Sequence, residues 1–204
     1  MYSLLKETLT NLQNLNAIPA GRKVVLQGLI DYIQERVDKN QPVNLNFICT
    51  HNSRRSHFAQ VWAQVSASYY RIDHVFCSSG GTEETAVHPQ VLETLVRSGC
   101  DVHKISDGNN PIFAIKFDGN LPAIIAFSKV FNHGFNPQSQ FGAVMTCSHA
   151  DEGCPFIAGA EARLSIPFED PKIADGTKEQ SAVYEKRSDE IAMEMMYVFS
   201  KIKR

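Results

Sequence analysis

Apolar positions recur along this 204-residue chain at two spacings, one helical and one extended. Leu5, Leu9, Leu12 and Leu15 follow the helical interval, as do Val25, Leu29, Ile33 and Val37, and Pro19 and Gly21 divide the two runs. They predict a two-helix N-terminal extension over residues 1–40. Pro42 then precedes Val43, Leu45, Phe47 and Ile48, which predict a buried strand ending at Cys49. Helical spacing resumes in Phe58, Val61, Trp62, Val65 and Tyr69. A short apolar run at 74–77 predicts a second strand, with Ser78, Ser79, Gly80 and Gly81 as the turn that leaves it. Pro89 opens another helix through Val91, Leu92, Leu95 and Val96, and Gly99 stops it.

Alternation of strand and helix argues for an α/β fold: a parallel sheet, expected to have four strands, with helices on both faces. Residues 111–129 interrupt the alternation. Ile112 to Phe117 and Leu121 to Phe127 flank Asp118, Gly119 and Asn120, the residues of a tight turn, and predict an inserted β-hairpin. A loop rich in Asn, Gly, Pro and Ser runs to Gln140, and Ala143 to Thr146 predict a strand ending at Cys147. From Cys147 to about Ala174 the chain reads as loop. Thr177 and Gln180 then form a capping-box start for a long helix carrying Val183, Arg187, Ile191, Met195, Val198 and Ile202. Met193, Met195 and Met196 read as core filler. Residues 1–40 are thus expected to pack as an extension on a catalytic domain spanning 41–204.

Composition narrows the class of function. A net charge of −2 without long Lys/Arg runs offers no footprint for nucleic acid or an acidic membrane surface. Lys6 and Glu7 interrupt the first leucines, and no stretch is long and apolar enough to span a bilayer, so a cytoplasmic location is expected. Five cysteines, an odd number in a chain large enough to build a core, read as reduced thiols.

Candidate chemistry sits at positions 49–56, CTHNSRRS. If Cys49 ends a strand and Arg55 opens a helix, the backbone N–H groups of Thr50, His51, Asn52, Ser53 and Arg54 can turn around a tetrahedral oxyanion. The helix N-terminus adds positive potential. A thiolate stabilised there is a nucleophile at neutral pH. Taken alone, a cysteine six residues ahead of an arginine arises by chance about as often as by function; the strand before it and the helix after it favour function. Ser56 can donate to the thiolate, and Asn52 can brace the loop. His51 and His57 read as structural, and Cys77 and Cys100 as inert buried thiols.

Three segments together, CTHNSRRS, CSHADEGCP at 147–155 and PFEDP at 167–171, resemble the low-molecular-weight tyrosine phosphatase fold, and within it the thioredoxin-coupled arsenate reductases. The resemblance covers about residues 43–171 and the closing helix. It implies that Cys49 attacks arsenate held by Arg55 and the loop amides while Asp170 protonates the departing oxygen. Cys147 would then attack Cys49, and Cys154 would attack Cys147, leaving a Cys147–Cys154 disulfide for thioredoxin to reduce. No cofactor and no metal is expected: where several reductases carry a carboxylate for potassium on the first helix, this chain has Gln60. The alternative is a phosphatase that hydrolyses phosphate monoesters through a phosphocysteine, although Lys172 and Ile173 stand where phosphatases of this fold carry aromatic residues. A zinc site built on Cys147, His149 and Cys154 lacks a fourth ligand.

Overall fold

A computed structural model describes residues 1–153 and 156–204, and of residues 152 and 153 the backbone alone. Helices α1 (Ser3–Asn11) and α2 (Ala20–Asp38) precede β1 (Val43–Cys49), α3 (Arg55–Tyr69), β2 (Val75–Gly81) and α4 (Pro89–Arg97). Then come β3 (Asp101–Lys104), β4 (Phe113–Lys116), β5 (Ile124–Ala126), β6 (Phe141–Met145), the short α5 (Ser148–Gly153), β7 (Ala160–Ser165) and α6 (Gln180–Ser200). Strands β2, β1, β6 and β7 form, in that order, a parallel four-stranded sheet. This is the expected α/β architecture.

The sequence of β1 explains how its two faces are covered. Val43, Leu45 and Phe47 point to one side and join the large core built with Phe58, Trp62, Tyr184 and Ile191 of α3 and α6. The opposite side presents Asn44, Asn46 and Ile48. Polar residues there need hydrogen-bonding cover. Accordingly the Asn46 amide donates to the Phe131 carbonyl at 3.0 Å and the Asn44 amide to the Gln140 carbonyl at 3.2 Å, so the 130–140 loop lies on this face. A smaller apolar cluster of Ile48, Cys49, Phe141, Met145, Cys147 and Ala150 completes it against α5.

Several sequence expectations shift. The Ser78–Gly81 run belongs to β2 and not to a turn, because Gly80 allows the backbone of Phe131 to approach where a Cβ would meet its Cα at 2.4 Å. The hairpin exists as β4 and β5, but β3 pairs with β4 to make a three-stranded antiparallel sheet. Strand β7, in the stretch read as loop, is the fourth strand of the main sheet; its alternation of half-buried and exposed residues marks an edge strand. In α2 the buried stripe is Leu26, Leu29, Ile30 and Ile33, and Val25 faces solvent. At the start of α6 the Gln180 side chain accepts from the Gly176 amide at 2.7 Å, one residue upstream of a capping box, and the buried face begins with Tyr184 and Ser188.

Two connections fix the framework around the site. Arg22 of α2 makes a bidentate pair with the buried Glu194 of α6 at 2.6 and 2.8 Å, tying the N-terminal helices to the closing helix. Along the outer edge of β2, the Gln64 side chain donates to Val75 O and accepts from Cys77 N, each at 3.0 Å. Gln60 donates to Cys77 O at 3.1 Å and Asn136 to Ser79 O at 3.0 Å. Side-chain amides thus do the work of a fifth strand. No helix among the described residues is long and apolar enough to cross a membrane.

Candidate active site

Strand β1 delivers Cys49 to the carboxyl edge of the sheet, and Arg55 opens α3 five residues after Thr50. Between them Asn52 adopts φ +44°, a left-handed conformation that asparagine tolerates. The loop carbonyls are all tied on the outside. Thr82 N donates to Cys49 O at 3.1 Å, Glu83 N to Thr50 O at 2.8 Å and His88 N to Ser53 O at 3.0 Å. The hydroxyls of Thr85 and Ser128 both donate to His51 O at 3.0 Å, and His57 Nε2 meets Asn52 O at 2.8 Å. In a trans peptide the N–H points opposite to the C=O. Outward carbonyls therefore turn the following amides inward, and those of residues 51–55 meet no protein acceptor among the described residues. Close support comes from Gly81, where a Cβ would stand 2.6 Å from Thr50 O and 2.7 Å from Asn52 N.

Cys49 forms the floor of this cup, 3% exposed, with its Sγ 3.1 Å from Ser56 Oγ. The direction of that bond follows from its neighbour. Asn52 Nδ2 donates to Ser56 Oγ at 2.8 Å, which leaves the serine proton to be donated to sulfur. Asn52 Oδ1 in turn accepts from Lys129 N at 2.9 Å. His57 is fully buried; burial, with the Lys129 charge adding to it, pushes its imidazole down to about 3. The ring is neutral at ordinary pH. Because a carbonyl only accepts, Nε2–H donates to Asn52 O, and Nδ1 accepts from Ser79 Oγ at 3.3 Å.

The two arginines of the motif diverge. Arg55 donates from one terminal nitrogen to Phe168 O at 3.1 Å and from the other to Asp170 Oδ2 at 2.5 Å, while its buried Nε has no partner among the described residues. Asp170 Oδ1 also accepts from Lys172 N at 3.1 Å, capping the turn at Pro171. Arg54, grouped by sequence with the oxyanion donors, points its side chain elsewhere: it donates to Tyr184 Oη and to Asp175 Oδ2, each at 2.5 Å. Tyr184 closes the triangle by donating to Asp175 Oδ1 at 2.6 Å, and the His88 ring stacks on Tyr184 at 5.2 Å. Arg54 therefore anchors the loop to α6. The His51 side chain is likewise turned out, 3.5 Å from Glu83.

Cys147 lies just past the end of β6, 1% exposed. Its Sγ is 3.5 Å from Thr50 Oγ1 and 3.4 Å from Ala150 N in the first turn of α5. It shares the small apolar cluster with Cys49. Cys154 falls outside the described residues. Cys49, Cys77, Cys100 and Cys147 are free thiols; burial pushes Cys100 up to about 12 and raises Cys77 further, which makes both poor nucleophiles.

The position expected to replace the potassium carboxylate, Gln60, is buried, and its amide nitrogen is engaged with Cys77 O and Ile125 O. It borders a cavity of about 660 Å³ together with the Lys129 side chain. The only carboxylate among the described lining residues is the exposed Asp73. With a lysine among the lining residues and no buried carboxylate among the described ones, the cavity does not suit a monovalent cation. Sequence patterns gave no notice of Lys129, Ser128, Thr85, Tyr184 or Asp175, since each reaches the loop from a distant segment.

Comparison with known proteins gives consistent neighbours. No family model matches the chain. An arsenate reductase of Halalkalibacterium halodurans is 28% identical over 147 residues, covering 71% of this chain and 86% of the relative. That of Bacillus subtilis is 27% identical over 146 residues, with the same coverage of each. Among solved structures, a YwlE mutant from Bacillus subtilis superposes with a TM-score of 0.53 at 13% identity, over 79% of this chain and 99% of that one. An arsenate reductase in the phosphate-binding state gives 0.50 at 18% identity, with the same two coverages.

Proposed function

We propose that this protein, a member of the low-molecular-weight tyrosine phosphatase-like family standing near its arsenate reductases, reduces arsenate through a relay of three cysteines. Its first step uses the cup. Arsenate enters with its oxygens on the inward amides of the 50–55 loop and on Arg55, which exchanges Asp170 and Phe168 O for the substrate. The Cys49 thiolate, held by the Ser56 hydroxyl, attacks arsenic. Asp170, released from Arg55 and protonated, gives its proton to the departing oxygen, which leaves as water.

The second step distinguishes reduction from hydrolysis. The Cys147 thiolate attacks the sulfur of Cys49, forming an S–S bond while the electron pair of the S–As bond stays on arsenic, and arsenite departs. Cys154 then attacks Cys147, freeing the Cys49 thiolate and leaving a Cys147–Cys154 disulfide. Thioredoxin, as the dithiol partner, restores both thiols. Arsenate and two thiols thus yield arsenite, water and one disulfide.

The observation that carries this reading is the seat of Cys147. A second thiol lies against Thr50, the residue after the nucleophile, and in the same apolar cluster as Cys49. Hydrolysis does not require it, and in a phosphatase it would serve only to protect Cys49 by reversible disulfide formation. A phosphatase acting through a phosphocysteine is the second reading, since the cup and Arg55 serve phosphate equally well. Against it, the mouth beside Asp170 is walled by Glu169, Lys172 and Ile173, the last 88% exposed, with no aromatic ring among its described lining residues to hold an aryl group. Residues 1–40 serve on this reading as an extension packed on the catalytic domain of residues 41–204, and reduced thiols suit a cytoplasmic protein. The test is turnover of arsenate with thioredoxin and its reductase beside an aryl phosphate. Arsenite without phosphate release is expected, and hydrolysis without arsenite overturns the proposal.

A further inference from the structure

Lys129 follows β5, at the end of the inserted segment, and is wholly buried. No carboxylate among the described residues pairs with it. Its Nζ donates to Phe127 O at 3.3 Å, lies 4.4 Å from the centroid of the Phe127 ring and is 5.9 Å from that of Phe135. Burying a cation whose partners among the described residues are two ring faces and one carbonyl is unfavourable, and burial pushes its ammonium down to about 8. Its main chain explains where that charge is directed. Lys129 N donates to Asn52 Oδ1 at 2.9 Å and Lys129 O accepts from Gly81 N at 2.8 Å. Asn52 leads through Ser56 to the sulfur of Cys49. The same charge reaches His57, whose ring holds Asn52 O.

We infer that Lys129 is a positioning residue whose caged ammonium is the fixed cation beside the oxyanion loop, taking the place of a bound monovalent ion. The misfit of potassium at Gln60 follows directly: the neighbouring positive charge is already covalently tethered. The aromatic cage fixes the side chain, the side chain fixes the backbone N–H that orients Asn52, and the charge favours an oxyanion guest. The inserted sheet thereby gains a role, that of carrying Lys129 to the loop.

The inference rests on Cys49 being the nucleophile but needs no arsenate turnover. Its test reads alkylation of Cys49 by iodoacetamide, followed by peptide mass spectrometry, and phosphate binding by calorimetry. In the unaltered protein, replacing potassium chloride by choline chloride at equal ionic strength leaves both within about twofold. Lys129→Met slows alkylation at pH 7 and weakens phosphate binding, each about tenfold, without lowering the thermal midpoint, because an unpaired buried charge has been removed. Lys129→Arg restores most of both. A requirement for potassium in the unaltered protein, or Lys129→Met alkylating at the parent rate, overturns the inference. If Lys129→Met does not fold, the cation exchange and the arginine variant decide. Loss of arsenite production with these readouts intact would count against the proposed reaction and not against Lys129.

Discussion

Replacing Ser56 with alanine removes the side-chain donor that, among the described residues, is aimed at the Cys49 sulfur. Ser56 is wholly buried, its Oγ is 3.1 Å from Cys49 Sγ, and Asn52 Nδ2 fixes its proton toward that sulfur from 2.8 Å. A hydrogen bond to a charged group contributes about 1.5–3 kcal/mol. At about 1.4 kcal/mol per decade, Ser56→Ala should slow alkylation of Cys49 at pH 7 by roughly 10- to 100-fold. A second cost falls on folding, since Asn52 Nδ2 is left buried without its acceptor, at about 1–3 kcal/mol. The assay is pseudo-first-order iodoacetamide labelling resolved by peptide, which separates Cys49 from the other thiols; urea unfolding reads the second cost. Ser56→Ala labelling at the parent rate, in a variant as stable as the parent, would refute the assignment of donor and acceptor in this chain of bonds.

Other residues give independent tests. His57 carries an acid-stability signature: its folded value of about 3 lies below the ordinary 6.5, so the unfolded chain gains a proton that the folded one refuses. That stability is complete above pH 6.5 and is lost as pH falls toward 3, at about 1.4 kcal/mol per pH unit. Between pH 7 and 5, the parent should lose about 2 kcal/mol more than His57→Gln in urea titrations, and parallel curves would contradict it. Arg22→Met strands the buried carboxylate of Glu194 and should cost about 3–5 kcal/mol, with Arg22→Lys intermediate; a midpoint unchanged by Arg22→Met removes this anchor. Cys147→Ser should abolish steady-state arsenite release yet still allow phosphate to bind, and continued turnover by that variant would exclude the relay.

Much of this arrangement was legible because it is local. The strand before Cys49, the helix after it and the spacing to Arg55 lie within one stretch of chain, so periodicity and a short motif were enough. The four-stranded sheet was expected, yet its fourth member was not located: β7 reads AEARLS, with one large aliphatic residue and alternating charge, and an edge strand needs no more. The destination of the Arg54 side chain was hidden for another reason. Its neighbour Arg55 reaches Phe168 and Asp170, whereas Asp175 and Tyr184 recruit Arg54 from more than a hundred residues away. The bracing of the loop by Ser128, Thr85 and Lys129 is also long-range. No periodicity announces a hydroxyl or an amide that will be needed 30 to 80 residues upstream. The Gly80–Gly81 pair looked like a turn because glycine usually marks one; here it marks a strand that two other backbones approach closely.

On the proposed relay, electrons pass from sulfur to arsenic through Cys147. Reduced protein mixed with one equivalent of arsenate, quenched by acid and mapped by mass spectrometry, tests it most directly. One equivalent of arsenite with a Cys147–Cys154 disulfide is expected in the parent, and a trapped Cys49–Cys147 disulfide in Cys154→Ser. All cysteines still reduced and arsenate unchanged, in protein whose Cys49 alkylates readily, would contradict it.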